Sequence, residues 1–427
     1  MSLVTIKKIL IISPHFPPSN LAAVHRSRLF GQHLPAFGWE PVVLTVHERH
    51  YEEALDHNLE KLLPEGLRIE KVSAFAVTKT RLVGDLGLRA FFQLYKKAKQ
   101  LIQSEKIDFV YIPIPSFYCA LLGRWLYHST GVKYGIDYID PWVHEFPGSD
   151  KIFSRHWFST QLAKILEPVA IKKAALITGV AEGYYKGVQE RNPGLNGSCI
   201  FGAMPYGGEA QDYKILQELQ LSPYLFQKTN KFKLVYAGAM LPKAFAPLAA
   251  IFKAIAADRA LFSEIEFHFI GTGKTPNDPL GYNIKLMAED YGLWNTIVFE
   301  YPKRIPYLDV LVHLKIADGV FILGSTEAHY TPSKTYQAVL SQKPVLAVLH
   351  TQSTAVTVLR TSGAGIVLDF DGEDDIDKIV TSFVAVFTNY ISSLQRFSPN
   401  LVNYTLFQDF TAKRVTEKLV MLLQKIG

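Results

Sequence analysis

Short apolar runs alternate with longer stretches in which apolar residues recur every three or four positions, and this alternation continues along the chain. In the first half, the runs at 8–13, 41–46, 67–72, 108–112, 132–137 and 175–180 predict strands. Helical spacing predicts a helix from a proline-rich turn to about residue 34, and others over 88–103, 117–128, 153–174 and 182–190. The strand segments are largely continuous in their apolar character. Strands covered on both faces read this way, so a mainly parallel sheet flanked by helices is expected.

Residues 211–231 are polar by comparison and predict an irregular segment. The pattern then restarts, with strands predicted at 232–237, 265–270, 296–299, 320–323, 344–348 and 365–368, and helices between them, one at about 244–257. The expected fold class is α/β, with two Rossmann-like doubly wound domains facing a central cleft. Their expected bounds are 1–204 and 205–408, followed by a helix within 409–427 that crosses back to the first domain. Sheets of this kind bind ligands beyond the carboxyl ends of their strands.

Composition narrows the class. A chain of 427 residues, 48% hydrophobic and 20% charged, is neither disordered nor in need of covalent staples. Its two cysteines, Cys119 and Cys199, cannot form a metal cluster or a disulfide framework, and they suit a reducing cytoplasm. No run approaches the roughly 20 apolar residues that span a bilayer. The net charge of +6 resides in the first 200 residues, which hold 24 basic and 18 acidic side chains; the remainder holds 21 of each. Either an anionic partner or a plainly solvated surface accounts for that bias. Two basic aromatic stretches, 88–99 and 151–173, raise peripheral contact with an anionic membrane, with core packing as the alternative. No zinc pattern, nucleophile elbow or nucleic-acid module is present, so no nucleic-acid partner is expected.

Candidate chemistry lies at predicted strand ends. Gly271-Thr272-Gly273-Lys274-Thr275 follows a strand but is no P-loop, because His268 stands where the first glycine of that motif belongs. Its glycines permit either close backbone approach to a ligand or a tight turn. Gly238 follows another strand, and Lys243 stands at a helix start, where it is suited to a diphosphate. Thr331-Pro332-Ser333-Lys334 predicts a helix capped by Thr331 with proline in its first position, offering N–H groups, a hydroxyl and a cation to a phosphate. Gln337 lies one turn further along, suited to a sugar hydroxyl. In the first half, Asp140 precedes a proline and is expected to extend beyond its strand, where a carboxylate binds a hydroxyl or assists proton transfer. His25 near the first helix is a candidate for donor sugar or phosphate.

These segments together resemble the family-4-like glycosyltransferases of the GT-B fold. The resemblance is carried by Phe16-Pro17-Pro18, Val24-His25-Arg26, the stretch 34–46, Asp137-Tyr138-Ile139-Asp140-Pro141-Trp142, Met204-Pro205-Tyr206-Gly207-Gly208, Pro332-Ser333-Lys334-Thr335-Tyr336-Gln337 and Lys343-Pro344-Val345-Leu346-Ala347. It implies a retaining, metal-independent transfer from a UDP- or GDP-linked sugar to a glycan or lipid-linked acceptor, without a cofactor. Lys243, Ser333 and Lys334 would meet the diphosphate, Gln337 the ribose, and Gly271 to Gly273 the nucleotide. His25 and Asp140 would face the sugar or acceptor. The chain departs from the family at several positions. No glycine precedes the first helix in Ser19-Asn20-Leu21-Ala22-Ala23, Ile139 replaces an arginine, and His329 and Gln337 replace the paired glutamates. Glu327 is a candidate for the missing acid. The departures also describe a non-catalytic relative that binds a sugar nucleotide or a partner.

Overall fold

A computed structural model describes residues 6–77, 85–143 and 151–426. Its first part runs β1 (Lys7–Ile12), α1 (Val24–His33), β2 (Trp39–Val46), β3 (Arg68–Val72), α2 (Leu86–Arg89), α3 (Phe91–Glu105), β4 (Phe109–Ile114), α4 (Ala120–Thr130), β5 (Lys133–Tyr138), α5 (Arg155–Ile171), β6 (Leu176–Gly179), α6 (Glu182–Arg191) and β7 (Ile200–Ala203). The second part runs α7 (Gln211–Glu218), β8 (Phe232–Ala237), α8 (Phe245–Ala257), β9 (Ile265–Ile270), α9 (Lys285–Asp290), β10 (Val298–Tyr301), α10 (Tyr307–Ile316), β11 (Gly319–Leu323), α11 (Lys334–Leu340), β12 (Val345–His350), α12 (Thr354–Ser362), β13 (Gly365–Phe370), α13 (Ile376–Leu394) and α14 (Tyr404–Phe407). The closing helix is α15 (Ala412–Gln424). Two units result, Met1–Tyr206 with Ala412–Gly427, and Gly207–Thr411.

In the first unit seven parallel strands are ordered β3-β2-β1-β4-β5-β6-β7. Their continuous apolar stretches are explained by a core on each face. One face packs against α3 through α6, and Leu94, Ala98, Leu101 and Ile102 form the buried stripe of α3. The other carries α1 and α15, whose Val415, Leu419 and Leu422 lie with Ile9, Ile11 and Tyr111. Burying a side chain of the size of Leu419 contributes about 1.5–3 kcal/mol, so α15 is integral to this core.

In the second unit six parallel strands are ordered β10-β9-β8-β11-β12-β13. Phe262, Phe383 and Phe387 stack beneath them, with Phe262 and Phe387 4.4 Å apart between centroids. Two sequence expectations need correction, and one strand was not expected. Residues 211–231 are not wholly irregular, because Ile215 and Leu216 bury one side of α7 while Asp212 receives the Tyr307 hydroxyl at 2.8 Å. The helix predicted over 88–103 is two helices that meet at Ala90. Strand β7 joins the sheet edge by pairing with β6, although its sequence, Ile-Phe-Gly-Ala, is too short to show periodicity.

Candidate functional site

The order of the second sheet determines where its functional edge opens. Chain progression runs outward from β8 through β9 to β10, then crosses over and runs the other way from β11 through β13. The loops after β8 and β11 therefore part at their common border, which is the place for a ligand in such a sheet. Gly238 follows β8, and the segment 324–333 follows β11 and leads into α11. The two loops are tied together where the Thr326 N–H donates to the Lys243 carbonyl at 3.0 Å. Lys243 itself lies half-buried in a single 3-10 turn, Pro242–Ala244, ahead of α8.

Lys334 reaches across this border. Its Nζ lies 3.5 Å from the centroid of the Tyr236 ring, on β8. A Cβ placed on Gly238 would stand 2.9 Å from that nitrogen, and Gly238 adopts φ +138, a conformation that disfavours other residues. The glycine thus makes room for the lysine. The stem of Lys334 is half-buried, but its ammonium is fully buried and has no hydrogen-bond partner among the described residues. Burial pulls its pKa down to about 7. The ring face offers some electrostatic relief, while all three N–H donors stay unsatisfied. Gln337 Oε1 and Thr335 Oγ1, on the same short helix, are likewise buried without hydrogen-bond partners.

The expected cap is not formed by Thr331. Helix α11 begins at Lys334, Ser333 precedes it with helical φ −59 and no side-chain cap, and Thr331 Oγ1 instead meets Thr354 Oγ1 at 2.8 Å. That bond draws the Thr331 hydroxyl toward the start of α12. Glu327 sits half-buried in a local turn, where Ser325 Oγ accepts its N–H at 3.3 Å and the Glu327 carbonyl receives the Tyr330 N–H at 3.1 Å.

Beyond β9, Gly271 has φ +74 and donates its N–H to the Tyr301 carbonyl at 2.8 Å. Gly273 donates to the Pro302 carbonyl at 3.0 Å, and a Cβ on it would stand 2.6 Å from that oxygen. Close packing of this turn on the end of β10 therefore accounts for Gly273. Sequence reasoning missed the residue that orders the rest of the loop. Buried Glu300 accepts the Thr272 hydroxyl at 2.8 Å and the N–H groups of Asn283, Ile284 and Lys285 at 2.9, 3.1 and 3.1 Å. An acidic residue at the end of an apolar strand was the available signal.

In the first unit, a buried pair joins α1 to β5. Arg26 Nε donates to Asp137 Oδ2 at 2.7 Å, and Nη2 donates to Asp137 Oδ1 at 3.3 Å and the Met204 carbonyl at 2.9 Å. The Thr178 hydroxyl donates to Asp137 Oδ1 at 2.7 Å and accepts from the Tyr111 hydroxyl at 2.8 Å. Asp137 is thus satisfied inside the sheet, whereas Asp140 is exposed beyond the end of β5. His25 neighbours Arg26, and burial with the charge of Arg28 lowers its pKa well below 6.5, so its imidazole is neutral at pH 7.

A second cluster, also unforeseen from sequence, follows β1. His15 Nδ1 lies 2.7 Å from Glu53 Oε1, which also accepts the Ser19 hydroxyl. Burial opposes ionisation of Glu53, but the bonds from His15 and Ser19 outweigh it and bring the pKa to about 2. Glu53 and Ser19 are separated by 34 positions, and no local motif links them.

With this geometry in view, solved structures sharing the fold are instructive. The Anabaena protein HepE in complex with UDP-glucose is 15% identical, with a TM-score of 0.62 and coverage of 98% of this chain and 99% of that one. Sucrose-phosphate synthase from Thermosynechococcus elongatus is 12% identical, with a TM-score of 0.62 and coverage of 98% and 99%. A glycosyltransferase from Rickettsia africae ESF-5 is 13% identical, with a TM-score of 0.61 and coverage of 98% of each chain. The architecture is that of the GT-B fold, two parallel-sheet Rossmann-like domains of seven and six strands. No protein-family profile matches the chain. No curated protein sequence matches it either.

Proposed function

We propose that the chain is a glycosyltransferase that takes its sugar from a nucleotide-sugar donor held by the second unit. The observation that carries this reading is the buried, unpartnered ammonium of Lys334 at the border of β8 and β11. A buried cation without a counterion is costly, and a donor diphosphate supplies the missing charge and acceptors. The likeness of fold to the UDP-glucose complex of HepE supports a sugar nucleotide as that anion.

In this reading Lys334 and Lys243 neutralise charge as the diphosphate departs, the largest electrostatic demand of the reaction. Gln337 receives a ribose hydroxyl through its free amide oxygen. The turn of Gly271 and Gly273 borders the nucleotide, and Thr331, Ser333 and Gly238 shape the phosphate end. The transfer is retaining and metal-independent, as in the family-4-like enzymes that the sequence resembles, and a donor phosphate oxygen takes the acceptor proton. The first unit is assigned the acceptor, a glycan or lipid-linked saccharide, with His25 and Asp140 as its contacts. Glu327 is the acid assigned to the donor sugar.

A non-catalytic sugar-nucleotide binder is the second reading, favoured by the neutral amide of Gln337. Turnover separates the two. UDP- and GDP-sugars are incubated with the protein, and release of UDP or GDP is followed. The proposal expects release from at least one donor, reduced about 100-fold or more in Lys334→Ala. Unchanged release in the variant would remove Lys334 from the site, and binding without release would favour the second reading.

A further inference from the structure

Helix α5 has an outer face that the described residues of its own unit leave exposed. Thr160, Ala163, Glu167, Ala170 and Ile171 form its buried side. Opposite them, Phe158, Leu162, Ile165 and Val169 are 55%, 41%, 66% and 40% exposed. Their separations of four, three and four positions place them in a single stripe along the helix. The stripe starts at an aromatic group, where Phe153 is 77% exposed and its ring lies 5.7 Å from Trp157 and 6.2 Å from Phe158. A monomer normally leaves single apolar side chains exposed, and a continuous row marks an interaction surface.

Charge specifies the partner. Lys151, Arg155, Lys164, Lys172 and Lys173 are all exposed along and beside the stripe. The only acidic residue in 151–173 is Glu167, which is buried and receives Arg191 Nη2 at 2.6 Å. Every exposed formal charge in this segment is therefore positive. The adjoining helix α4 contributes Arg124, whose Nη1 donates to the Val169 carbonyl at 3.0 Å, and carries no acid. Neighbouring α3 and α4 add a further exposed pair, Phe92 and Trp125, with centroids 6.4 Å apart. Among the described residues no helix is long and apolar enough to cross a membrane.

We infer that this face of the first unit docks on an anionic lipid surface, with the Phe158–Val169 stripe in the acyl boundary and the lysines at the headgroups. An amphipathic helix with an aromatic and aliphatic face and an all-basic flank binds in this way, parallel to the interface. A soluble acidic protein would satisfy the lysines but not the length of the apolar row. The inference stands apart from the donor assignment, because vesicle binding needs no nucleotide sugar.

The test is sedimentation of the full chain with vesicles of phosphatidylcholine alone, or with about one third phosphatidylglycerol. Binding is expected with the anionic vesicles, weakened by added salt, and reduced about tenfold or more in Phe158→Ser/Ile165→Ser. Both residues are exposed, so the double variant should keep the wild-type melting temperature, which is checked first. Lys164→Gln/Lys172→Gln should weaken binding to the anionic vesicles alone. Wild-type protein that stays in the supernatant with anionic vesicles overturns the inference. So does equal binding by the apolar double variant. A wild-type dimer that the double variant converts to a monomer, with no vesicle binding, would assign the face to a second copy instead. Calorimetry with sugar nucleotides, run on the same samples, reports the donor site independently.

Discussion

Lys334 Nζ lies 3.5 Å from the centre of the Tyr236 ring, and the missing side chain of Gly238 is what admits it. The lysine is thus held at the end of β8 by packing and by a ring face, without a carboxylate. Its stability cost has a definite pH dependence. The folded pKa, about 7, lies below the unfolded value of 10.5, so burial of the charged form is fully unfavourable below pH 7. The penalty fades as pH rises from about 7 to 10.5.

Lys334→Met should therefore stabilise the ligand-free protein at pH 7 by about 2–4 kcal/mol, and the gain should shrink toward pH 10. Chemical denaturation of both proteins across that range checks this. An unchanged or lowered stability at pH 7 would show that the ammonium is better compensated than its surroundings indicate.

Gly238→Ala should be destabilised by about 1–3 kcal/mol, because its φ of +138 strains an alanine and its Cβ displaces the Lys334 ammonium. Sugar-nucleotide affinity should fall in the same variant. Wild-type affinity with wild-type stability would contradict this role for the glycine.

Much of this architecture was readable in the sequence. β8 and β9 lie at the predicted 232–237 and 265–270, because apolar side chains dominate both strands despite Lys233, Glu266 and His268, and Lys233 pairs with Glu266 across the two strands at 2.9 Å. The roles of particular residues were less readable. Gly238 is visible in the sequence as a glycine after a strand, but not as the residue that makes room for a lysine 96 positions later in the chain. Thr331 had the composition of a cap, but its hydroxyl is taken by Thr354 on another helix. Glu300 and the Arg26–Asp137 pair depend on partners brought together only by the folded sheet. Local spacing carries no record of such contacts.

Asp137→Ala should be strongly destabilising, by about 3–5 kcal/mol, because it leaves the buried Arg26 guanidinium without its counterion. Arg26→Met/Asp137→Leu should recover part of that loss by removing both charges. Thermal or urea unfolding of the three proteins decides it. A single variant as stable as wild type would mean that the pair is not needed to join α1 to β5.

His313 supplies a pH-dependent clamp in the second unit. Its Nδ1–H donates to the Asp309 carbonyl at 2.7 Å, and its Nε2 accepts the N–H groups of Tyr224 and Leu225 at 3.2 and 3.1 Å. Protonation would turn that acceptor toward two donors. Burial lowers its pKa below 6.5, outweighing the Asp309 contacts, so the stability it gives is present above pH 6.5 and is lost as pH falls through its folded pKa. His313→Phe should be less stable than wild type at pH 7.5, and the difference should narrow toward pH 5. A difference independent of pH would contradict the neutral clamp.

The most direct test of the donor site is calorimetric titration with UDP-glucose and GDP-glucose at pH 8, in two buffers of different ionisation enthalpy. A diphosphate beside Lys334 should restore its charge, so binding should take up close to one proton per site and weaken as pH rises above about 7. Lys334→Met should lose about 100-fold in affinity together with that proton uptake. Binding of equal strength in the variant, or wild-type binding without proton uptake at pH 8, would contradict the account.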